Sequence, residues 1–254
     1  MANWSDPRTS AAPYATSGTR TDAYDAGLRS YMLSVYNYML SGVLLTAIIA
    51  LVVSQTSLIE YLFTVQQTSR GATLGPSMLG WVVMLSPLAI VLVMSFGQAR
   101  LSTSTLQMLF WAYAGLLGAS LSTIFLQYSG TSIAQVFFGT AAGFGALSLY
   151  GYTTKKDLSG FGTFLIMGLV GLIVASIVNL FLQSGVMSLV ISVLGVLIFA
   201  GLTAYDTQKI KSMYAYVGGT DMQGKAVIMG ALTLYLDFIN MFLFLLRLFG
   251  SARD

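Results

Sequence analysis

The sequence predicts an all-α membrane protein with seven transmembrane helices. Three observations carry this reading. The 254 residues are 56% hydrophobic and only 8% charged, against roughly 25% charged in an average soluble domain. Beyond a polar start, the chain contains seven apolar runs, each near the ~20 residues that a helix needs to cross ~30 Å of hydrocarbon. None alternates as barrel strands do, so helices are the spanning elements that satisfy the backbone.

Residues 1–27, MANWSDPRTSAAPYATSGTRTDAYDAG, are rich in Ser, Thr, Ala and Asp. No apolar core follows a basic start, so this is no signal peptide; it reads as a disordered tail. The seven-helix domain fills 28–254. Its runs lie at about 32–54, 79–98, 105–127, 130–151, 160–182, 185–208 and 226–248. The third and fourth are joined through QYSGTS and the fifth and sixth through LQSGVM, which read as tight helical hairpins. The longest connection, about 55–78, places Leu58, Tyr61, Leu62 and Val65 at the spacing of a short interfacial helix, and a plain surface loop fits equally well. Gly139 and Gly143 form a GxxxG pair, with Gly115, Gly118, Gly168, Gly171 and Gly201 as further small residues. They suit close packing within the bundle or, alternatively, a dimer contact.

Lys and Arg set the orientation. With the N-terminus inside, nine of them fall on inside segments and three outside (Arg70, Arg247 and Arg253). The N-terminus is therefore expected to be cytoplasmic and the C-terminus outside. The cations are spread along the chain, so the net charge of +3 makes no basic patch for nucleic acid.

The inventory lacks several chemistries. There is no histidine and no cysteine, which removes histidine metal sites, Ser-His-Asp and Cys-His nucleophiles and thiol chemistry. No GxSxG or phosphate-binding Gly-rich motif is present, and the last span has no lysine for a retinal Schiff base. An enzyme is not expected.

Charge in hydrocarbon costs at least ~2.5–3.5 kcal/mol per group, so each charge in a span asks for a reason. The exceptions come late: Asp206 near the inner end of the sixth span, Asp237 within the seventh, and Arg247 near its outer end. Gly230, Thr233, Asp237, Asn240 and Arg247 recur at steps of three, four or seven and form one stripe, opposite Leu232, Tyr235, Phe238, Phe242 and Leu245. In the sixth span, Ser188, Ser192, Gly195, Thr203 and Asp206 share a face. If the stripes meet, two carboxyl groups in low dielectric do not both ionise comfortably. They would share one proton, or present two negative charges to a cation. Carboxylate oxygens are hard ligands suited to Ca²⁺. Two plainer readings stand beside this: Asp206 at the interface paired with Lys209 or Lys211, and a neutral Asp237 bonded to Thr233 or Asn240. Depth also opposes the meeting, because Asp237 lies roughly 16 Å beyond Ala226 while Asp206 is near the inner surface. The carboxyls meet only if the seventh helix starts later or the sixth tilts or extends inward.

GLTAYDTQKIK (Gly201 to Lys211) and ALTLYLDFINMFLFLLRLFG (Ala231 to Gly250) resemble the transmembrane Bax inhibitor motif family, the Bax inhibitor-1-like proteins whose bacterial branch includes YccA-type members. The similarity extends through Leu149 to Asn179 and Phe110 to Tyr128. The resemblance implies a last helix surrounded by the other six and residence in a bacterial inner membrane. It also implies a pH-dependent calcium leak whose di-aspartyl sensor lies at Asp206 and Asp237. Calcium and protons would be the ligands, with no other cofactor. Some YccA-type relatives are associated with membrane-protease control, which makes a protease engaging the tail the alternative partner. One departure matters. Well-studied relatives latch the aspartates with an arginine of the second helix, whereas LGWVVMLSPLAIVLVMSFGQ has none; Arg100, just beyond it, is the nearest cation.

Overall fold

The computed structural model describes residues 17–68 and 71–253. In chain order the elements are α1 (Ser17–Gln55), α2 (Leu58–Leu62), β1 (Phe63–Thr68), β2 (Gly71–Pro76), α3 (Met78–Gly97), α4 (Thr103–Leu121), α5 (Ile124–Gln127), α6 (Gly130–Thr153), α7 (Ser159–Leu182), α8 (Gly185–Val217) and α9 (Gln223–Phe249). Seven segments are long and apolar enough to span: α1, α3, α4 continued by α5, α6, α7, α8 and α9. Each coincides with an apolar run of the sequence.

Serines begin four of these helices. Ser77, Ser102, Ser129 and Ser184 accept hydrogen bonds from the backbone N–H groups of Gly80, Thr105, Ser132 and Met187, satisfying donors that a helix start leaves free. Two of these caps lie in the turns read as hairpins. At the second, Gln183 takes the left-handed conformation (φ 50°) and closes α7 directly before Ser184.

Besides the inner end of α8, which runs on to Val217, two boundaries differ from the sequence reading. Most of the expected tail, residues 1–16, lies outside the described residues. From Ser17 onward it is helical and continuous with α1, and Tyr24 and Tyr31 of α1 pack against the Tyr214 ring, with centroids 5.2 and 5.4 Å away. The 55–78 connection contains the short helix α2, and then an antiparallel hairpin in which Phe63 pairs with Pro76 and Thr68 with Gly71. Ser77 ties the hairpin to α2, its N–H donating to the Leu62 carbonyl and its hydroxyl to that of Tyr61.

Burial singles out the last helix. In the most apolar stretch of α9, 67% is buried, against 11–33% in the other six spans. Its main neighbours are α1, α4, α6 and α8, while α3 packs chiefly on α4 and α7 on α8. The principal packing around α9 therefore comes from four helices, not six. In lipid the apolar effect gives helices no reason to associate, so van der Waals fit and internal hydrogen bonds must hold them. Two hydroxyl chains do so. Thr46 of α1 has one proton for the carbonyls of Ala114 (2.8 Å) and Gly42 (3.0 Å), so Tyr235 of α9 must be the donor in their 2.6 Å contact. Ser148 of α6 bonds both Tyr36 of α1 (2.5 Å) and Thr207 of α8 (2.9 Å).

The glycines pack differently from the pattern their spacing suggests. A Cβ on Gly139, Gly143 or Gly171 would meet nothing within 4 Å. The GxxxG pair thus makes no close approach within the bundle. Close approaches of one spanning helix to another's backbone occur at Gly118, where a Cβ would come 2.6 Å from the Thr46 carbonyl oxygen, and at Gly151, 2.2 Å from that of Ala204. Gly201, as its spacing suggested, lies against a neighbouring helix, 2.6 Å from the Leu165 side chain.

Candidate functional site

Helix α8 is 33 residues long and does not stop where hydropathy falls. Lys209 and Lys211 end the apolar run, but their aliphatic stems are compatible with a helix whose charged tips leave the lipid. Lys211 donates to the Tyr152 carbonyl at 2.7 Å and lies 4.6 Å from that ring's centroid, and Lys209 lies over Tyr205. The helix continues from Asp206 to Val217, about 16 Å at ~1.5 Å per residue. From the same end, α9 runs from Gln223 to Asp237, about 21 Å. The inward extension of α8 therefore brings the two aspartates to similar depths.

There the carboxyl groups meet. Asp206 and Asp237 lie close enough to act on one another across the α8–α9 interface, and their residues are only 8% and 4% exposed. Oδ2 of Asp237 is buried and has no hydrogen-bond partner among the described residues. Neither plainer arrangement is adopted. Lys211 is engaged with Tyr152, and Lys209 lies over the Tyr205 ring, near enough for its charge to be felt at Asp206 but forming no ion pair with it among the described residues. Thr233 turns back to the Met229 carbonyl (3.1 Å) and Asn240 to that of Leu236 (2.8 Å), so neither holds Asp237.

Both carboxyls line a cavity of about 1300 Å³ between α7, α8 and α9, bordered by Leu88 of α3 and Tyr128. Ser188 and Ser192 of α8 line it with Thr233, Asn240 and Arg247 of α9. Asn179 and Gln183, at the end of α7, complete its polar wall. The two stripes read from the sequence thus share one space, with the aspartates toward one end and Arg247 toward the other. Thr203, Gly195 and Gly230 are the exceptions: Thr203 is wholly buried and donates to the Phe199 carbonyl, Gly195 lies against Phe244 and Gly230 against Ile210, and none of the three lines the cavity. Arg247 lies over the Phe244 ring, 5.6 Å from its centroid. Asn179 and Gln183 were not legible in the sequence, because only the packing of α7 on α8 brings that helix end to the cavity.

The second span offers no replacement for an arginine latch. Leu88 is the residue of α3 that reaches the cavity, and Arg100 is exposed beyond the helix end. No cluster of three or more acidic residues occurs among the described residues. A cation at the aspartates would meet two carboxylates plus neutral oxygens.

Comparison with known proteins places the chain in a family. The chain is 48% identical over 239 residues to the uncharacterized protein RP147 of Rickettsia prowazekii, covering 94% of this chain and 97% of that protein. It is 48% identical over 232 residues to an uncharacterized Caulobacter vibrioides protein, covering 91% and 92%. Inner membrane protein YbhL of Escherichia coli K12 is 46% identical over 231 residues, covering 90% and 94%. The family described as inhibitor of apoptosis-promoting Bax1 matches residues 28–254, and this membrane protein belongs to it, the Bax inhibitor-1 family.

Proposed function

We propose that the protein is a pH-sensitive cation leak that passes Ca²⁺, with Asp206 and Asp237 as its sensor. The observation that carries the proposal is two buried carboxyls close enough to act on one another at the wall of an intramembrane cavity. Such a pair has three chemically distinct states: doubly protonated, sharing one proton, and doubly charged. Unneutralised charge is costly at this depth, so the doubly charged state favours a cation nearby. Calcium takes 6–8 oxygen ligands. The pair supplies hard anionic oxygens, and Thr233, Asn240 and Ser192 line the same space with neutral ones. Calcium is here the transported ion, not a resident cofactor, and no catalytic step is assigned. Protons and cations that favour different pair states bias any opening through that difference alone.

Asp237→Asn leaves one carboxyl and an amide that does not titrate. In proteoliposomes, the variant is expected to lose the pH dependence of calcium flux while remaining folded. An unchanged pH profile would rule out the sensor. Removing residues 1–16 is expected to leave flux intact, which separates the leak from any interaction carried by the tail.

The proposed orientation puts the N-terminus in the cytoplasm and the C-terminus outside, in the inner membrane named for the E. coli relative. The nine-to-three distribution of Lys and Arg supports it. The chain has no cysteine, so single cysteines report without background. A membrane-impermeant maleimide on spheroplasts should label Ala252→Cys and spare Thr220→Cys until the membrane is opened. The reverse pattern would invert the topology.

A further inference from the structure

A second cavity, of about 630 Å³, runs between α1 and α6. Its floor is apolar, formed by the buried side chains of Met39, Phe144 and Phe238. Its walls are antiparallel. On α1 it extends from Arg29 to Leu40 and on α6 from Tyr152 back to Ala141, about 16 Å along each helix. That is roughly half of the ~30 Å hydrocarbon thickness, the depth of one leaflet. Exposed Leu33, Leu40 and Leu149 border it, so it opens toward lipid.

One end of this groove gathers several cations, with Asp25 one turn before Arg29 and Asp157 after Lys156 as the nearby acids. Arg29 is exposed there, and its guanidinium makes no hydrogen bond or ion pair among the described residues. Lys211 lies beside Tyr152 at the same end, and Lys155 and Lys156 follow directly after α6. An apolar slot one leaflet deep with a free guanidinium at its rim matches a chain with an anionic head. Basic pockets between membrane helices are a recurrent form of headgroup recognition.

We propose that this groove seats one acyl chain of an anionic glycerophospholipid, with its phosphate on Arg29. The site is separate from the aspartate cavity and does not depend on the leak. Native mass spectrometry of the detergent-purified full chain tests it, with phosphatidylglycerol and phosphatidylcholine of matched acyl chains as probes. The wild type should retain one lipid and prefer phosphatidylglycerol by about five-fold, the preference that one interfacial cation supplies. Arg29→Gln should abolish the preference yet still retain a lipid. Gly145→Trp should displace both lipids, since Gly145 lines the groove and a Cβ there meets nothing within 4 Å. Gly139→Trp, on the same helix but off the groove, should change neither. Circular dichroism checks that each variant keeps its helices. Unaltered retention in Gly145→Trp, or an unaltered headgroup preference in Arg29→Gln, would overturn the proposal. So would graded uptake with no one-lipid step.

Discussion

Replacing Tyr235 with alanine is expected to cost about 3 kcal/mol of stability, near the lower end for deleting a buried aromatic. Tyr235 is wholly buried. Its ring meets Phe110 and Tyr113 of α4 edge-on, with centroids 6.1 and 5.4 Å away, and its hydroxyl begins the bond chain through Thr46 to Ala114. One side chain thus joins α9 to both α1 and α4. Within a bilayer, transfer from water contributes little to helix association, so the cost comes from lost dispersion and an unfilled gap. Tyr235→Phe isolates the hydroxyl. It should lose about 1 kcal/mol, because Thr46 keeps its carbonyl acceptors. Unfolding in mixed detergent micelles measures both. An alanine variant within about 0.5 kcal/mol of wild type, the range of an ordinary surface change, would contradict the packing described.

Gly151→Ala is expected to destabilise by about 1–3 kcal/mol, the usual cost of forcing atoms into a filled interface. The added carbon would lie 2.2 Å from the Ala204 carbonyl oxygen and 2.9 Å from Ala204 Cα. These are backbone atoms, with no flexible side chain to turn aside. Helix α6 must move off α8, and Ser148, one turn earlier, would lose its 2.9 Å contact with Thr207. Thr207 follows Asp206, so the displacement reaches the aspartate pair. Gly139→Ala and Gly143→Ala face open space and should be near neutral in the same assay. If all three variants melt alike, the α6–α8 approach is looser than described.

These glycines mark where sequence pattern stops being informative. Gly139 and Gly143 form a recognisable motif, yet point to no neighbouring helix. Gly151, the last residue of its apolar run and outside any motif, sits against backbone. Spacing identifies which residues share a face; only assembly decides what that face meets. The seven spans were legible because lipid imposes a long, continuous apolar run on each. The β1–β2 hairpin was not, since its strands FTVQQT and GATLGP lack a clear apolar face. The aspartate stripe was visible and its depth was not. Hydropathy marks where the lipid ends, whereas the hydrogen-bonded helix can run on, as α8 does past Lys209 and Lys211 to Val217.

That continuation has an electrical consequence. Asp237 lies near the middle of α9, with similar lengths of helix on either side. A proton or cation reaching it from one face crosses about half of the transmembrane potential, or roughly 1 kcal/mol per unit charge per 100 mV. Occupancy of the pair would then follow membrane voltage as well as concentration, and a divalent ion would feel twice the bias of a proton. A carboxyl pair at the inner surface, where the apolar run alone would put Asp206, would be indifferent to that field for ions arriving from inside.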